Sequence, residues 1–180
     1  CDPPSPGLRK GMEPCNKCDQ CTSITKGNNL DVIELDAASH RGIDEIRVLR
    51  DAVKLAPAKA KKKVYIIDEA HMLTTEASNA LLKTLEEPPD HVFFILATTN
   101  PEKLIETIKS RTRNILFRKA KKDEIVRSLT RIAKGENLEV GKDVLASISE
   151  SSDGSFRDAV KILAQFFSES ITLNKKSVEE

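Results

Sequence analysis

Two sets of side chains in this sequence have the types and spacing that chemistry requires. The first is Asp68-Glu69, which ends the apolar run 64–67 within Ile66-Ile67-Asp68-Glu69-Ala70-His71. A continuous apolar run of this length reads as a parallel strand buried on both faces. Carboxylates directly after it stand at the carboxyl edge of a sheet, where open α/β folds bind ligands. Asp68 offers the hard oxygen ligand that a magnesium ion takes. Glu69 offers a carboxylate to orient and polarise an attacking water. An acidic pair after a strand also suits an ordinary helix start, so the residues that would surround it decide between the two.

Three further segments supply such residues. Thr98-Thr99-Asn100 ends the next apolar run and brings hydroxyl and amide groups to the same edge, although an ordinary strand-ending turn has the same composition. Ser110-Arg111, with Arg113 close by, ends the following helical stretch, where an arginine could reach across a subunit boundary or simply stay solvated. Gly154-Ser155-Phe156-Arg157-Asp158 opens the last helix. A cation there opposes the helix dipole, which suggests that Arg157 serves an anion; an ion pair with Asp153 or Asp158 is the alternative. A phosphate-cradling G-x4-G-K-[ST] loop is not present in these 180 residues. The stretch 135–143 (GENLEVGKD) has the wrong glycine spacing, lacks the Ser/Thr and follows a helix, and Gly7 and Gly11 have no Lys-Ser/Thr after them. Very weak ATP binding by these residues alone is therefore expected.

The second set is the four cysteines, Cys1, Cys15, Cys18 and Cys21, all within the first 21 residues. Two C-x2-C intervals and no secretory signal point away from disulfides. Four thiolates at this spacing can surround one tetrahedral Zn2+. With no further ligand close by, the site would be closed and structural; free thiols or a redox pair are the alternatives.

The elements that must position these groups follow from the pattern. Residues 2–29, rich in Pro, Gly, Asn and Lys, read as loop around the cysteines. Strands are expected at 31–36, 64–67, 92–98 and 114–117, the third again buried on both faces. Helices are expected at 43–55, closed by Pro57, at 75–87, and from Pro101. After about residue 121 the strands stop. Three helices follow: one capped by Asp123 and ended by Gly135, one over 143–151, and one opened by Ser155. Alternating strands and helices followed by helices alone imply an α/β domain and a small helical domain. The formal net charge of +1 gives no global drive towards nucleic acid, and no apolar run reaches the ~18 residues of a membrane span. The basic stretch 59–63 and the cluster Arg118, Lys119, Lys121, Lys122 suit solvated turns better than phosphate contacts.

These residues together resemble the AAA+ ATPases, and more narrowly the gamma/tau family of bacterial clamp-loader subunits. The matching segments are the cysteine cluster, Leu35-Asp36-Ala37-Ala38-Ser39, the stretch 64–73, NALLKTLEEPP at 79–89, Leu96-Ala97-Thr98-Thr99-Asn100 and the segment 154–159. The resemblance implies a partial P-loop NTPase-type parallel sheet flanked by helices, with an inserted zinc module at 1–29, an ATPase core at 30–120 and a three-helix lid at 121–180. It implies that Asp68 and Glu69 are the catalytic acids, with Asp68 on magnesium. Thr99 or Asn100 becomes the first sensor, Arg111 the finger acting on a neighbouring subunit, and Arg157 the second sensor. It also implies ATP, Mg2+ and Zn2+, a five-subunit ring, a sliding clamp and primed DNA as partners, replication as the process, and the bacterial cytoplasm. The phosphate loop would then precede Cys1. Two departures are visible: the finger motif usually reads Ser-Arg-Cys where this chain has Ser110-Arg111-Thr112, and the gap between Cys1 and Cys15 is longer than usual, which loop-closure entropy tolerates. Rival readings are a non-hydrolysing delta-prime-like partner, disfavoured by the intact Asp68-Glu69, a DEAH-type helicase, disfavoured by the helical end, and a non-enzymatic zinc-bearing interaction module.

Overall fold

The computed structural model describes residues 14–176, with side chains as far as Ser168. Cys1, Gly7 and Gly11 lie outside the described residues. The chain divides into two compact units, Cys1–Asn114 and Ile115–Glu180.

The first unit is built on a parallel sheet of three strands, β1 (Val32–Asp36), β2 (Lys63–Asp68) and β3 (Val92–Leu96), in the order β1-β2-β3. Each connection carries a helix, α2 (Ile43–Val53) between β1 and β2 and α3 (Thr75–Glu86) between β2 and β3. A preceding two-turn helix, α1 (Asp19–Thr25), carries Cys21. Ile46, Leu49 and Val53 of α2 and Ala77 and Leu81 of α3 recur at helical spacing, and all are buried. They join Tyr65 and Ile67 of β2 in one core, with Ile33, Leu35, Phe94 and Leu96 packed against it. In-register parallel pairing places these strand residues on one face. The other face is more open: Val64 and Ile66 are half-buried, while Phe93 and Ile95 are 56 % and 50 % exposed. β3 is thus covered on one face only, contrary to the expectation for 92–98.

Asp31, just before β1, is buried, and its carboxylate gathers the chain entering β2. Oδ1 accepts the backbone N–H of Ala58 at 2.6 Å, and Oδ2 accepts those of Lys59 at 2.8 Å and Ala60 at 2.7 Å. Burial alone would raise this carboxyl group, but the three N–H groups and nearby Lys63 bring it below the usual carboxylate range.

Four further expectations require correction. The segment 2–29 is not all loop, since α1 forms within it. Pro101 begins only a single 3-10 turn, Pro101–Lys103; extended backbone at Leu104 and Ile105 separates it from the short α4 (Glu106–Lys109). The segment 114–117 is not a strand: no strand among the described residues supplies it with a ladder, and Leu116 and Phe117 are almost fully exposed. Asp123 lies inside the first turn of its helix instead of capping it. The N-terminus is closed by Glu124, which accepts the backbone N–H of Lys121 at 2.8 Å.

The second unit holds α5 (Lys122–Gly135), α6 (Lys142–Ser151) and α7 (Phe156–Lys176). Ile125, Leu129, Leu145, Ile148, Ala159 and Leu163 form its core. Gly154, before α7, has φ +79°. A Cβ there would meet the Lys119 Cβ at 2.8 Å and the Ala120 carbonyl at 3.2 Å, so only glycine fits this close approach. Its carbonyl accepts the Ala120 N–H at 3.0 Å. No helix among the described residues is long and apolar enough to cross a membrane.

Candidate active site

β2 delivers Asp68 to the carboxyl edge of the sheet, directly beside Asp36 of β1. The two carboxylates are not equivalent. Asp36 folds back on its own turn, accepting the Ser39 hydroxyl at 2.7 Å and the Ala38 N–H at 2.8 Å, and these bonds lower its pKa. Asp68 is exposed and uses only Oδ1, which accepts the Glu69 N–H at 2.9 Å. Of this pair it is therefore the carboxylate with an oxygen that takes no hydrogen bond among the described residues.

Glu69 sits at φ 48°, ψ 42°, in the left-handed region. For a non-glycine residue this conformation costs about 1–3 kcal/mol and persists only where the surroundings impose it. A 3-10 turn, Ala70–Met72, follows and is tied to the sheet by the Ala70 N–H on the Ala97 carbonyl at 2.9 Å. The Glu69 carboxylate then meets the end of β3, where the Thr99 hydroxyl donates to Oε2 at 3.1 Å. His71 Nδ1 lies 3.3 Å from the same oxygen and 2.9 Å from Thr98 Oγ1. The Asn100 N–H donates to Thr98 Oγ1 at 3.0 Å, and its side-chain amide has no hydrogen bond among the described residues.

Asp68, Glu69, Thr99 and Asn100 thus come together at one edge. Arg111 follows α4 and is engaged within its own unit. Its Nε donates to Glu86 Oε1 at 2.8 Å, a second guanidinium nitrogen pairs with that oxygen, and Nη1 donates to the Thr107 carbonyl at 2.8 Å. Arg157 belongs to the second unit, is exposed, and makes no ion pair among the described residues. Asp153 is taken by Lys119, and Asp158 faces Lys161 at 3.9 Å. Neither ion pair considered for Arg157 is formed. One member of the network, His71, was given no role by the sequence. The signal available was a histidine three residues beyond Asp68 in a turn that doubles back on the sheet.

The cysteine cluster tests zinc directly. The sulfurs of Cys15, Cys18 and Cys21 all lie within 4.8 Å of one another, and Cys15 and Cys21 are 3.8 Å apart. Tetrahedral zinc with bonds of ~2.3 Å separates its sulfurs by ~3.8 Å, so three ligands fit. The backbone N–H groups of Lys17 and Cys18 lower the Cys15 thiol to about 6, favouring the thiolate that binds metal.

The parallel sheet with flanking helices and the helical unit have the AAA+ fold class of their structural neighbours. RuvB from Thermotoga maritima, a Holliday junction branch migration motor, is similar over 86 % of this chain and 50 % of its own, with a TM-score of 0.67 at 18 % identity. The family model described as DNA polymerase III, delta subunit, matches residues 7–121, and the chain belongs to this DNA polymerase III subunit family. DNA polymerase III subunit tau of Bacillus subtilis is 51 % identical over 156 residues, 87 % of this chain and 28 % of that protein. The gamma/tau subunit of Mycoplasma genitalium is 45 % identical over 171 residues, 94 % of this chain and 29 % of that protein. A DNA polymerase III gamma subunit-related protein from Thermotoga maritima has a TM-score of 0.50 at 34 % identity, covering 54 % of this chain and 34 % of that one. The chain spans less than a third of the length of the two curated relatives.

Proposed function

We propose that this chain forms part of an ATP-hydrolysing clamp-loader subunit of bacterial DNA polymerase III, which couples ATP binding and hydrolysis to loading of a sliding clamp on primed DNA. The observation that carries the reading is Glu69, held at the carboxyl edge of the sheet by Thr99 beside an exposed Asp68. A non-hydrolysing partner would have no use for that arrangement.

In this reading Asp68 holds magnesium, which when bound supplies charge neutralisation at the phosphate oxygens. Glu69 orients a water and accepts a hydrogen bond from it. Thr99 supports Glu69, and the Asn100 amide is available to phosphate. Arg157 supplies a cation from the lid, and Arg111 a cation for the site of a neighbouring subunit. Presenting Arg111 requires exchanging Glu86 for that partner's anion. Cys1 joins Cys15, Cys18 and Cys21 on a structural zinc, in a module of residues 1–29 preceding core 30–120 and lid 121–180.

The test is ATP hydrolysis by the full-length protein assembled with its partner subunits. Glu69→Gln is expected to lower kcat by about 10^2- to 10^4-fold while leaving ATP binding intact. Equal rates for the variant and the parent would overturn the reading.

A further inference from the structure

His71 has no role in the hydrolytic reading, yet like Thr99 it links the two halves of the edge. Its imidazole is only 8 % exposed, and one nitrogen, Nδ1, lies 2.9 Å from Thr98 Oγ1 and 3.3 Å from Glu69 Oε2. A histidine filling a structural niche needs one partner; this nitrogen touches a hydroxyl on β3's end and a carboxylate on β2's end. The contact with Glu69 favours one tautomer over the other. A lone pair on Nδ1 would face the carboxylate oxygen and repel it, whereas an N–H there is attracted by both acceptors. Thr98 Oγ1 is already an acceptor for the Asn100 N–H, and a hydroxyl oxygen has capacity for a second donor.

The consequence falls on the two oxygens of Glu69. The Thr99 hydroxyl donates to Oε2 and His71 Nδ1 lies 3.3 Å from it, while among the described residues no hydrogen bond reaches Oε1. One oxygen is pinned and the other is left for water. We infer that His71 is a positioning residue for Glu69: its Nδ1, bonded to Thr98 and 3.3 Å from Oε2, attracts that oxygen so that Oε1 faces the attacking water. The same nitrogen ties Glu69 to the Thr98–Asn100 turn. Any displacement of that turn when phosphate meets Asn100 is therefore transmitted to the carboxylate. The inference rests on the hydrolytic reading of Glu69 and assigns a group that reading does not contain.

The experiment compares His71→Ala and His71→Asn with the parent and Glu69→Gln, in the full-length protein assembled with its partner subunits. Asparagine places an amide nitrogen on the same carbon that bears Nδ1. His71→Ala is expected to lower kcat by about ten- to a hundredfold, the scale of a misplaced catalytic group, with KM for ATP changed less than about twofold. His71→Asn is expected to recover most of the lost rate. A kcat for His71→Ala within twofold of the parent overturns the inference. So does a folded His71→Asn no faster than His71→Ala. A parent that does not hydrolyse ATP, or a Glu69→Gln variant as fast as the parent, fails the hydrolytic reading instead. Nitrogen-15 spectra of the His71 ring in the 180-residue chain give an independent decision, including where His71→Ala does not fold: a protonated Nδ1 supports the inference, and the Nε2–H tautomer overturns it.

Discussion

Replacing Asp31 by asparagine should weaken the first unit substantially, and the structure allows the size of the effect to be worked out. Asparagine has the same shape but a single acceptor oxygen. Its best orientation keeps that oxygen on the Lys59 and Ala60 N–H groups and turns its amide towards the Ala58 N–H, so a 2.6 Å bond becomes a donor–donor clash. A hydrogen bond to a charged group contributes about 1.5–3 kcal/mol and a neutral one about 0.5–1.5 kcal/mol. One bond lost and two weakened come to roughly 3.5–6 kcal/mol, and relief of burying the charge returns on the order of 1 kcal/mol. The net expectation is a loss of about 2.5–5 kcal/mol. Urea unfolding can be followed by the fluorescence of Tyr65, because the sequence has one tyrosine and no tryptophan. At a urea dependence of about 1.5–2 kcal/mol/M, the midpoint should fall by about 1–3 M. The pH dependence has a definite sign. The folded pKa of Asp31 is lowered, so its stabilisation is fully present above the unfolded value of about 3.9 and is lost as pH falls through the lower folded value. The gap between parent and variant should be full at pH 7 and close below about pH 4. An unchanged midpoint at pH 7, or a gap equally wide in acid, would refute the reasoning.

Three further outcomes are expected. The Glu124 carboxyl, held down to about 2 by the Arg118 guanidinium and the Lys121 N–H, should titrate by carbon-13 NMR far below ordinary glutamate, and Arg118→Ala should move its midpoint upward. The stability this pair contributes should likewise be present above the unfolded glutamate pKa and disappear as pH falls towards 2. Zinc should bind in a ratio of one per chain, and Cys18→Ala should release it; mass spectrometry under native conditions reads both. Glu86→Ala should leave the unfolding free energy within about 1 kcal/mol of the parent, as exposed ion pairs do, while Arg111→Ala should reduce ATP turnover of the assembled full-length protein by about 10^3-fold or more.

What was legible in the sequence is what periodicity and edges carry. The run 64–67 announces β2, and its abrupt end places Asp68 and Glu69. The stripe Ile46, Leu49, Val53 announces α2. An apolar run does not say which of its faces a helix will cover, so the openness of Phe93 and Ile95 was not visible. Nor does it supply a ladder partner, which is why 114–117 reads as a strand and does not form one. α1 was hidden because cysteines at three-residue spacing match both a metal loop and a helix face. Asp31 and His71 escaped for a shared reason. Their partners lie about 27 residues further along the chain, and no local pattern encodes a hydrogen bond across that distance.

The close approach at Gly154 has a mechanical consequence. Ala120, near the start of the helical unit, is bonded to Gly154, and Arg157 stands three residues beyond it at the start of α7. The pivot and the tip of the arm are therefore one rigid piece. A rotation introduced in the segment before Lys119 would swing Arg157 with no play lost in side-chain rearrangement. Adding a methyl group at residue 154 would act as a loosened bearing: the helices could keep their packing while the turning of the chain no longer reached the guanidinium.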